Sequence, residues 1–493
     1  MFMELPLEFM EYAAEALGEE IAGELCSNIE SCEELTSVRV NPLKRASLGG
    51  AFGGDAGVEV SPVQWSALGY YVSPRPVFTL DPLFHAGGYY VQEASSMYME
   101  LVKDSIEKDF AGRSASEGVE VQETGYFEER LAALDLCAAP GGKSTHLASL
   151  ISSDSLLVSN EVIKSRAVIL ADNIAKWGAD NVVVTNNDPA DFGAFEGYFN
   201  LVVVDAPCSG EGLFRKEPEA VGEWSPANVN LCAQRQQRIL ADIWPALAPG
   251  GYLVYSTCTY NKYENDGNLA FLRDELGAEI VELVLPEGSG IIRTPMGGAQ
   301  FVPGKVKGEG QFMALVRKPC DEEASFVASG RSGKGKKGGK DGKKNSVQFE
   351  KGCNYLPDSY KKILHGDLVK GYRESLYDRI RFVEENLKVV LSGIAIATKK
   401  GKDYIPHADF ALQGVVADMV AAGTLPAGMA AVEVGREDAL KFLAKEPVVL
   451  PDAPLGYVLL FYGGLGLGFV KNLGNRTNNL LPMARRIRMQ IHQ

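Results

Sequence analysis

Histidine is scarce: the chain holds five in 493 residues, none in a setting that looks catalytic. That leaves little room for histidine-based proton transfer or metal-assisted chemistry, and no metal is expected. The eight cysteines lie at 26, 32, 137, 208, 232, 258, 320 and 353. None forms Cys-x-x-Cys, and their spacing suits neither a zinc site nor a disulfide framework. Most are therefore expected as buried thiols, with any special one singled out by context. No apolar run reaches about eighteen residues, so a helical membrane span is excluded. The N-terminal "MFMELPLEFMEYAAEALGEE" lacks the basic region of a signal peptide. These absences predict a cytoplasmic protein with no membrane partner, and no internal repeat argues for an array.

Charge is also one-sided, with a net value of −15, which argues against a broad nucleic-acid surface. Its distribution is uneven. The stretch 331–345, "RSGKGKKGGKDGKKN", holds seven Lys or Arg against one Asp. It reads equally as a solvated linker or as an arm that grips phosphate.

What is present begins with "LDLCAAPGGKST" at 134–145. Gly142-Lys143-Ser144 resembles the end of a phosphate-binding loop, but the first glycine of that pattern is replaced by Cys137. The setting is a buried strand, a Pro140-Gly141-Gly142 turn and a helix start. Backbone can approach a polar ligand closely there. Between about 76 and 320, apolar strand-like runs alternate with helical stretches, the mark of a doubly wound parallel α/β sheet. Strands are predicted at 132–136, 155–159, 182–185, 200–204, 252–257 and 311–317.

Ligands of such a sheet bind beyond the carboxyl ends of the strands. There stand Glu161, Asp188, Asp205 with Cys208, and Cys258. Glu161 is placed to take ribose hydroxyls and Asp188 to meet an adenine edge. With no Walker-type lysine or magnesium set beside them, these acids favour S-adenosylmethionine over ATP. The two cysteines lie in loops after neighbouring strands, where a buried, inert thiol is the bland reading. Asp205, three residues from Cys208, turns the reading toward chemistry. Carbon 5 of a pyrimidine is too poor a nucleophile to accept a methyl group until a thiolate adds at carbon 6, which is covalent catalysis. Lys143, Arg215 and Lys216 are candidate cations to favour the thiolate.

The domain expectation is an N-terminal α+β unit at 1–75, the catalytic sheet at 76–320, a basic Gly/Lys linker at 321–352 and a C-terminal α+β or β-rich region at 353–493. The acidic stretch 111–129 reads as a surface insertion. The run Gly463–Gly468 reads as a glycine-rich hairpin or strand.

"LDLCAAPGGKSTHLA", "NEVIKSRA", "VVVDAPCSGEGLFRK" and "VYSTCTYNKYEND" together resemble the RNA cytosine-5 methyltransferases of the Nol1/Nop2/Sun group over roughly 36–317. The tail "GGLGLGFVKNLGNRTNNLLP" is similar to the bacterial 16S rRNA branch with a PUA-like C-terminal domain. The resemblance implies a Rossmann-like methyltransferase sheet flanked by small RNA-binding domains at both ends. It also implies Cys258 as the nucleophile, Cys208 as the group that assists release, and Asp205 on the cytosine edge and bordering the donor. Cys137, Ala138, Ala139, Pro140, Gly141, Gly142 and Lys143 would hold the methionine moiety and ribose. Glu161, Arg166 and Asp188 would complete the S-adenosylmethionine site. The implied partner is 16S rRNA or the small ribosomal subunit, met by a monomer. Phosphate contacts are expected from Arg39, Lys44, the 331–345 stretch, Arg476, Arg485, Arg486 and Arg488. A tRNA methyltransferase of the same group, and a ribosome-assembly RNA-binding factor, stand as alternatives.

Overall fold

The computed structural model describes residues 5–31, 35–44, 57–116, 125–217, 219–320, 348–426 and 428–491. The basic stretch 331–345 lies outside them.

Near the N-terminus, β1 (Ser37–Val40), β2 (Glu59–Val63), β3 (Ser66–Ser73) and β4 (Tyr89–Val91) form an antiparallel sheet in the order β2-β3-β1-β4. This sheet reaches past residue 75. The central sheet contains β5 (Ala132–Asp135), β6 (Leu156–Asn160), β7 (Val182–Thr185), β8 (Phe199–Asp205) and β9 (Leu247–Thr257) in parallel, ordered β9-β8-β5-β6-β7. All the predicted core strands are found. The short strands β10 (Glu279–Ile280), β11 (Ile292–Arg293) and β12 (Ala299–Phe301) lead to β13 (Gln311–Arg317), which runs antiparallel beside β9.

Burial on both faces explains why these strands read as continuous apolar runs. Ala133, Leu157, Val184, Val203 and Val254 face one core, with Val102, Ile106, Leu147, Leu170 and Ile174 from covering helices. Leu134, Val158, Val183, Val202 and Leu253 face the other, with Leu240 and Ile243. The chain leaves β5 toward β6 and β7, then returns to the other side of β5 as β8. The order therefore reverses between β5 and β8, where a crevice opens for ligands.

The C-terminal region holds β14 (Tyr360–His365), β15 (Leu368–Arg373), β16 (Val389–Leu391), β17 (Ile394–Lys400) and β18 (Asp403–Pro406), then β19 (Ala430–Glu433), β20 (Gly456–Tyr462), β21 (Leu465–Asn472) and β22 (Thr477–Asn479). Two four-stranded sheets result, β14-β15-β17-β18 and β19-β20-β21-β22. β16 leaves them to add an antiparallel edge to β7. Helix Tyr377–Asn386 lays Ile380 and Val383 on the central sheet. The glycine run makes the β20–β21 hairpin turn, as expected. Gly463 and Gly464 have φ of 57° and 76°, which a tight two-residue hairpin requires.

Three expectations need correction. The end of the 111–129 stretch is not all surface material: Tyr126 and Phe127 are buried, and Tyr126 donates to the Asn200 carbonyl, although Glu128 is exposed. Arg39 and Lys44 are not surface charges either. Arg39 is fully buried, bonds Gln92, the Gly142 carbonyl and Thr145, and lies 4.6 Å from the Trp177 ring. Lys44 donates to the carbonyls of Ala86 and Lys176. Finally, of the described cysteines Cys232 and Cys353 are fully buried, Cys26, Cys137, Cys208 and Cys258 only partly so, and Cys320 is exposed. Among the described residues no helix is long and apolar enough to cross a membrane.

Candidate active site

The loop 136–141 leaves β5 and enters helix Gly142–Leu150 through Gly141, whose φ of 116° is a left-handed conformation that favours glycine. Three side chains from two elements, β1 and helix Lys164–Trp177, fasten this loop. Arg39 of β1 holds the first helical turn, Arg166 donates to the Ala139 carbonyl at 2.8 Å, and Asn173 donates to the Pro140 carbonyl at 2.9 Å. A cleft of about 190 Å³ opens beside it. Cys137, Ala138, Ala139, Pro140, Gly142, Lys143 and Asp205 line one side, and Tyr90, Gln92, Glu93 and Ser96 the other. That second wall was missed as a functional element, although "GYYVQEASSM" lies within the resembling stretch. The wall comes from β4 and the turn after it, and no local pattern signals that it folds over the loop.

Two further acids stand at neighbouring strand ends outside that lining. Glu161, 3% exposed, accepts from the Ile163 N–H at 2.9 Å and lies 3.6 Å from Arg166. Asp188 caps the short helix Pro189–Phe195 through the Ala190 N–H, so one of its oxygens has a structural task. The edge strand braces this end. Asn186 donates its side-chain NH2 to the Glu161 carbonyl and its backbone N–H to the Lys388 carbonyl, while Asn187 and Lys388 exchange hydrogen bonds.

Across the crevice, Cys208 follows β8 and Cys258 follows β9. Their Sγ atoms are 3.1 Å apart, and the Cys258 N–H points at the Cys208 sulfur at 3.4 Å. The hydrogen bond to Cys258, reinforced by burial, pushes the Cys208 thiol well above its ordinary value. Cys208 therefore keeps its proton and can offer it to its neighbour. Burial likewise raises the Cys137 thiol, so that sulfur is no nucleophile.

Asp205, the last residue of β8 and three before Cys208, lines the cleft. Its Oδ2 accepts from Lys143 Nζ at 2.8 Å, and its Oδ1 accepts from Ser256 Oγ at 2.6 Å. Tyr98 donates to Ser256 in turn at 2.7 Å. Burial lowers the Lys143 ammonium, but Asp205 outweighs it and holds the group raised and charged. The three cations expected to favour the thiolate are all committed to carboxylates: Lys143 to Asp205, and Arg215 and Lys216 to Glu309. Of the tail arginines, Arg485 pairs with Asp172 and Asp409, whereas Arg476, Arg486 and Arg488 are exposed.

Beneath the loop, burial raises Asp135 to about 7 against donation from Ser144, and its Oδ1 has no partner. The folded protein thus holds a proton there that the unfolded chain has lost. The stability from this group is complete below about pH 4 and is lost as pH rises toward 7. Asp135→Asn should remove that loss. In urea unfolding, the variant is expected to gain on the native protein between pH 5 and 7.5 by up to about 1.4 kcal/mol per pH unit; parallel curves refute it.

A reversing parallel sheet, a glycine turn entering a helix and an acid at the next strand end define a Rossmann-like methyltransferase fold. The family described as 16S rRNA methyltransferase RsmB/F matches residues 127–317. The N-terminal domain of 16S rRNA methyltransferase RsmF matches 5–94, and the methyltransferase RsmF PUA domain matches 430–487. Ribosomal RNA small subunit methyltransferase F of Shewanella sp. (strain ANA-3) is 30% identical over 90% of this chain and 90% of its own. That of Shewanella sediminis is 28% identical over 90% of this chain and 89% of its own. The chain belongs to the ribosomal RNA small subunit methyltransferase F family. In fold it is like the structure of NSun6 from Pyrococcus horikoshii with SFG, at TM-score 0.52 and 21% identity over 64% of this chain and 99% of that one.

Proposed function

We propose that this protein transfers a methyl group from S-adenosylmethionine to carbon 5 of a cytosine in 16S rRNA, through a transient bond between Cys258 and carbon 6. The observation that carries this is the 3.1 Å separation of two sulfurs at adjacent strand ends. Two thiols brought together at a crevice whose wall carries a partly buried acid–lysine pair suit addition and elimination on a ring better than they suit packing.

The cleft's residues fit the donor. Gly142 and Lys143 bring the start of the helix to the cleft wall, and the Glu161 carboxylate at the next strand end suits a ribose diol. Cys137 to Lys143, Glu161, Arg166 and Asp188 are the assigned holding residues. S-adenosylmethionine supplies an electrophilic methyl group. The Cys258 thiolate adds to carbon 6, the electron pair of the 5,6 double bond moves to carbon 5, and carbon 5 takes the methyl, which leaves S-adenosylhomocysteine behind. Loss of the carbon-5 proton to a base restores the double bond and expels Cys258. Cys208, protonated beside the departing sulfur, returns a proton to it. Asp205 reads the N3/N4 edge of the base.

The target base must leave its stack, which costs a few kcal/mol and least in single-stranded RNA. Arg476, Arg486 and Arg488 on the PUA-like end, exposed, are assigned to phosphate, so binding weakens with salt. The enzyme is assigned to the cytoplasm as a monomer. Purified protein with labelled donor is expected to label 16S rRNA or the small subunit from cells that lack the protein. Bisulfite mapping should place the label on cytosine. Label confined to tRNA, or RNA binding with no label at all, refutes the assignment.

A further inference from the structure

The two thiols sit on separate loops, each on its own strand end, yet their sulfurs meet. Something must hold the loops in register. Glu211, 1% exposed, belongs to the Cys208 loop. Its Oε2 accepts from the backbone N–H groups of Tyr260 at 2.7 Å and Asn261 at 3.1 Å, both in the Cys258 loop. Its Oε1 accepts from Trp224 Nε1 at 2.9 Å and Asn261 Nδ2 at 2.7 Å. Glu264, fully buried, lies beyond Cys258 and reaches the other way. Its Oε2 accepts from the Ser209 N–H at 3.1 Å and Gln236 Nε2 at 2.7 Å, and its Oε1 from Asn261 Nδ2 at 2.9 Å. Gln236 also holds the Pro207 carbonyl at 3.0 Å. A backbone bond also joins the loops, from the Gly212 N–H to the Cys258 carbonyl at 2.7 Å. A Cβ at Gly212 would stand 2.9 Å from that oxygen.

We propose that Glu211 and Glu264 are positioning residues that set the distance between the two sulfurs, each carboxylate rising from one thiol loop and closing on the backbone of the other. The inference rests on the thiol reading above. Glutamate is seldom fully buried without paired donors. Here two are buried side by side, and both oxygens of each meet only donors. A carboxylate is the side chain that accepts on every side. Pure packing has no need of one.

The test uses the full-length protein. Oxidised glutathione takes two electrons from the thiol pair, forming a Cys208–Cys258 disulfide and two reduced glutathiones through a mixed disulfide. The closing step needs only that the sulfurs meet, so it reads the brace without RNA. Glu211→Gln turns an NH2 toward converging donors. Bridge formation, followed by peptide mapping, is expected to slow about tenfold or more, the loss that one unsatisfied buried donor converts to. The kcat for methyl transfer falls with it while KM for S-adenosylmethionine stays. Glu350→Gln is the control: it removes a carboxylate of similar burial that pairs with Lys399 and Tyr404 in another sheet. It should change neither rate. If Glu211→Gln fails to fold, Glu264→Gln takes its place. Native-rate bridge formation in the variant overturns the brace, whatever happens to methylation. Methyl transfer that survives Cys258→Ala overturns the thiol reading instead and leaves the bridge measurement intact.

Discussion

Cys258→Ala is expected to abolish methyl transfer, with kcat lower by at least about 10⁴-fold, the scale on which a lost covalent nucleophile is felt. Cys208→Ala should behave differently. It leaves the proposed nucleophile in place but removes the thiol that lies 3.1 Å from it and is assigned to return a proton. Methyl transfer then runs once and stalls, with RNA still bonded to the protein. A denaturing gel should show a slowly migrating band for Cys208→Ala, absent from the native protein and from the double variant. The proposed order of roles agrees with the site: the hydrogen bond to Cys258 and burial both raise the Cys208 thiol, which suits it to the part of the acid. Full turnover by Cys208→Ala with no adduct would refute that order. An adduct in Cys258→Ala instead would exchange the two roles.

The parts of this site that were legible in the sequence share one physical property: they are local. A strand buried on both faces must be apolar throughout, so Leu156–Val158 and Leu201–Val204 announce themselves, and whatever follows them lies at the ligand edge. Cys208, Cys258, Glu161 and Asp188 were found in this way, by position after a strand. Which sulfur attacks was not legible, because both occupy equivalent positions and only the family resemblance separates them.

What escaped depends on contacts distant in sequence. Arg39 and Lys44 look like surface charges because their hydrogen-bond partners are backbone carbonyls, Gln92 and Thr145, with the Trp177 ring beside Arg39, and none of these is an acid that would signal a buried pair. Tyr126 and Phe127 follow an acidic stretch whose composition masks their burial. β16 lies more than two hundred residues beyond β7, and nothing in "VVL" distinguishes a strand of its own region from an edge of the central sheet. Glu211 and Glu264 read as loop acids until the two loops are seen to face one another. The central sheet is therefore completed by the C-terminal region, whose Lys388 also fastens Asn186 and Asn187 behind Glu161.

Asp205→Ala is the second large effect, and it separates two tasks of one carboxylate. Asp205 is the counter-ion of Lys143, whose side chain is 13% exposed, and the acceptor at the end of the Tyr98–Ser256 chain. Removing it strands a mostly buried ammonium. Breaking a buried pair costs about 3–5 kcal/mol, and the partial exposure of Asp205 reduces this to about 2–3. Activity should fall further than stability explains, by about 10³-fold or more, because the assigned reader of the cytosine edge is gone as well. The double variant Lys143→Met/Asp205→Ala divides the two losses. With both charges removed, no ammonium remains unpaired, so the urea midpoint should recover most of the deficit. Methylation should not recover, since neither replacement can accept a hydrogen bond from the base. If the double variant regains activity together with stability, Asp205 serves only to neutralise Lys143 and the base is read elsewhere. If neither returns, the pair is a structural keystone of the loop, and Tyr98 and Ser256, which complete the same chain, should show the same loss when replaced by Phe and Ala.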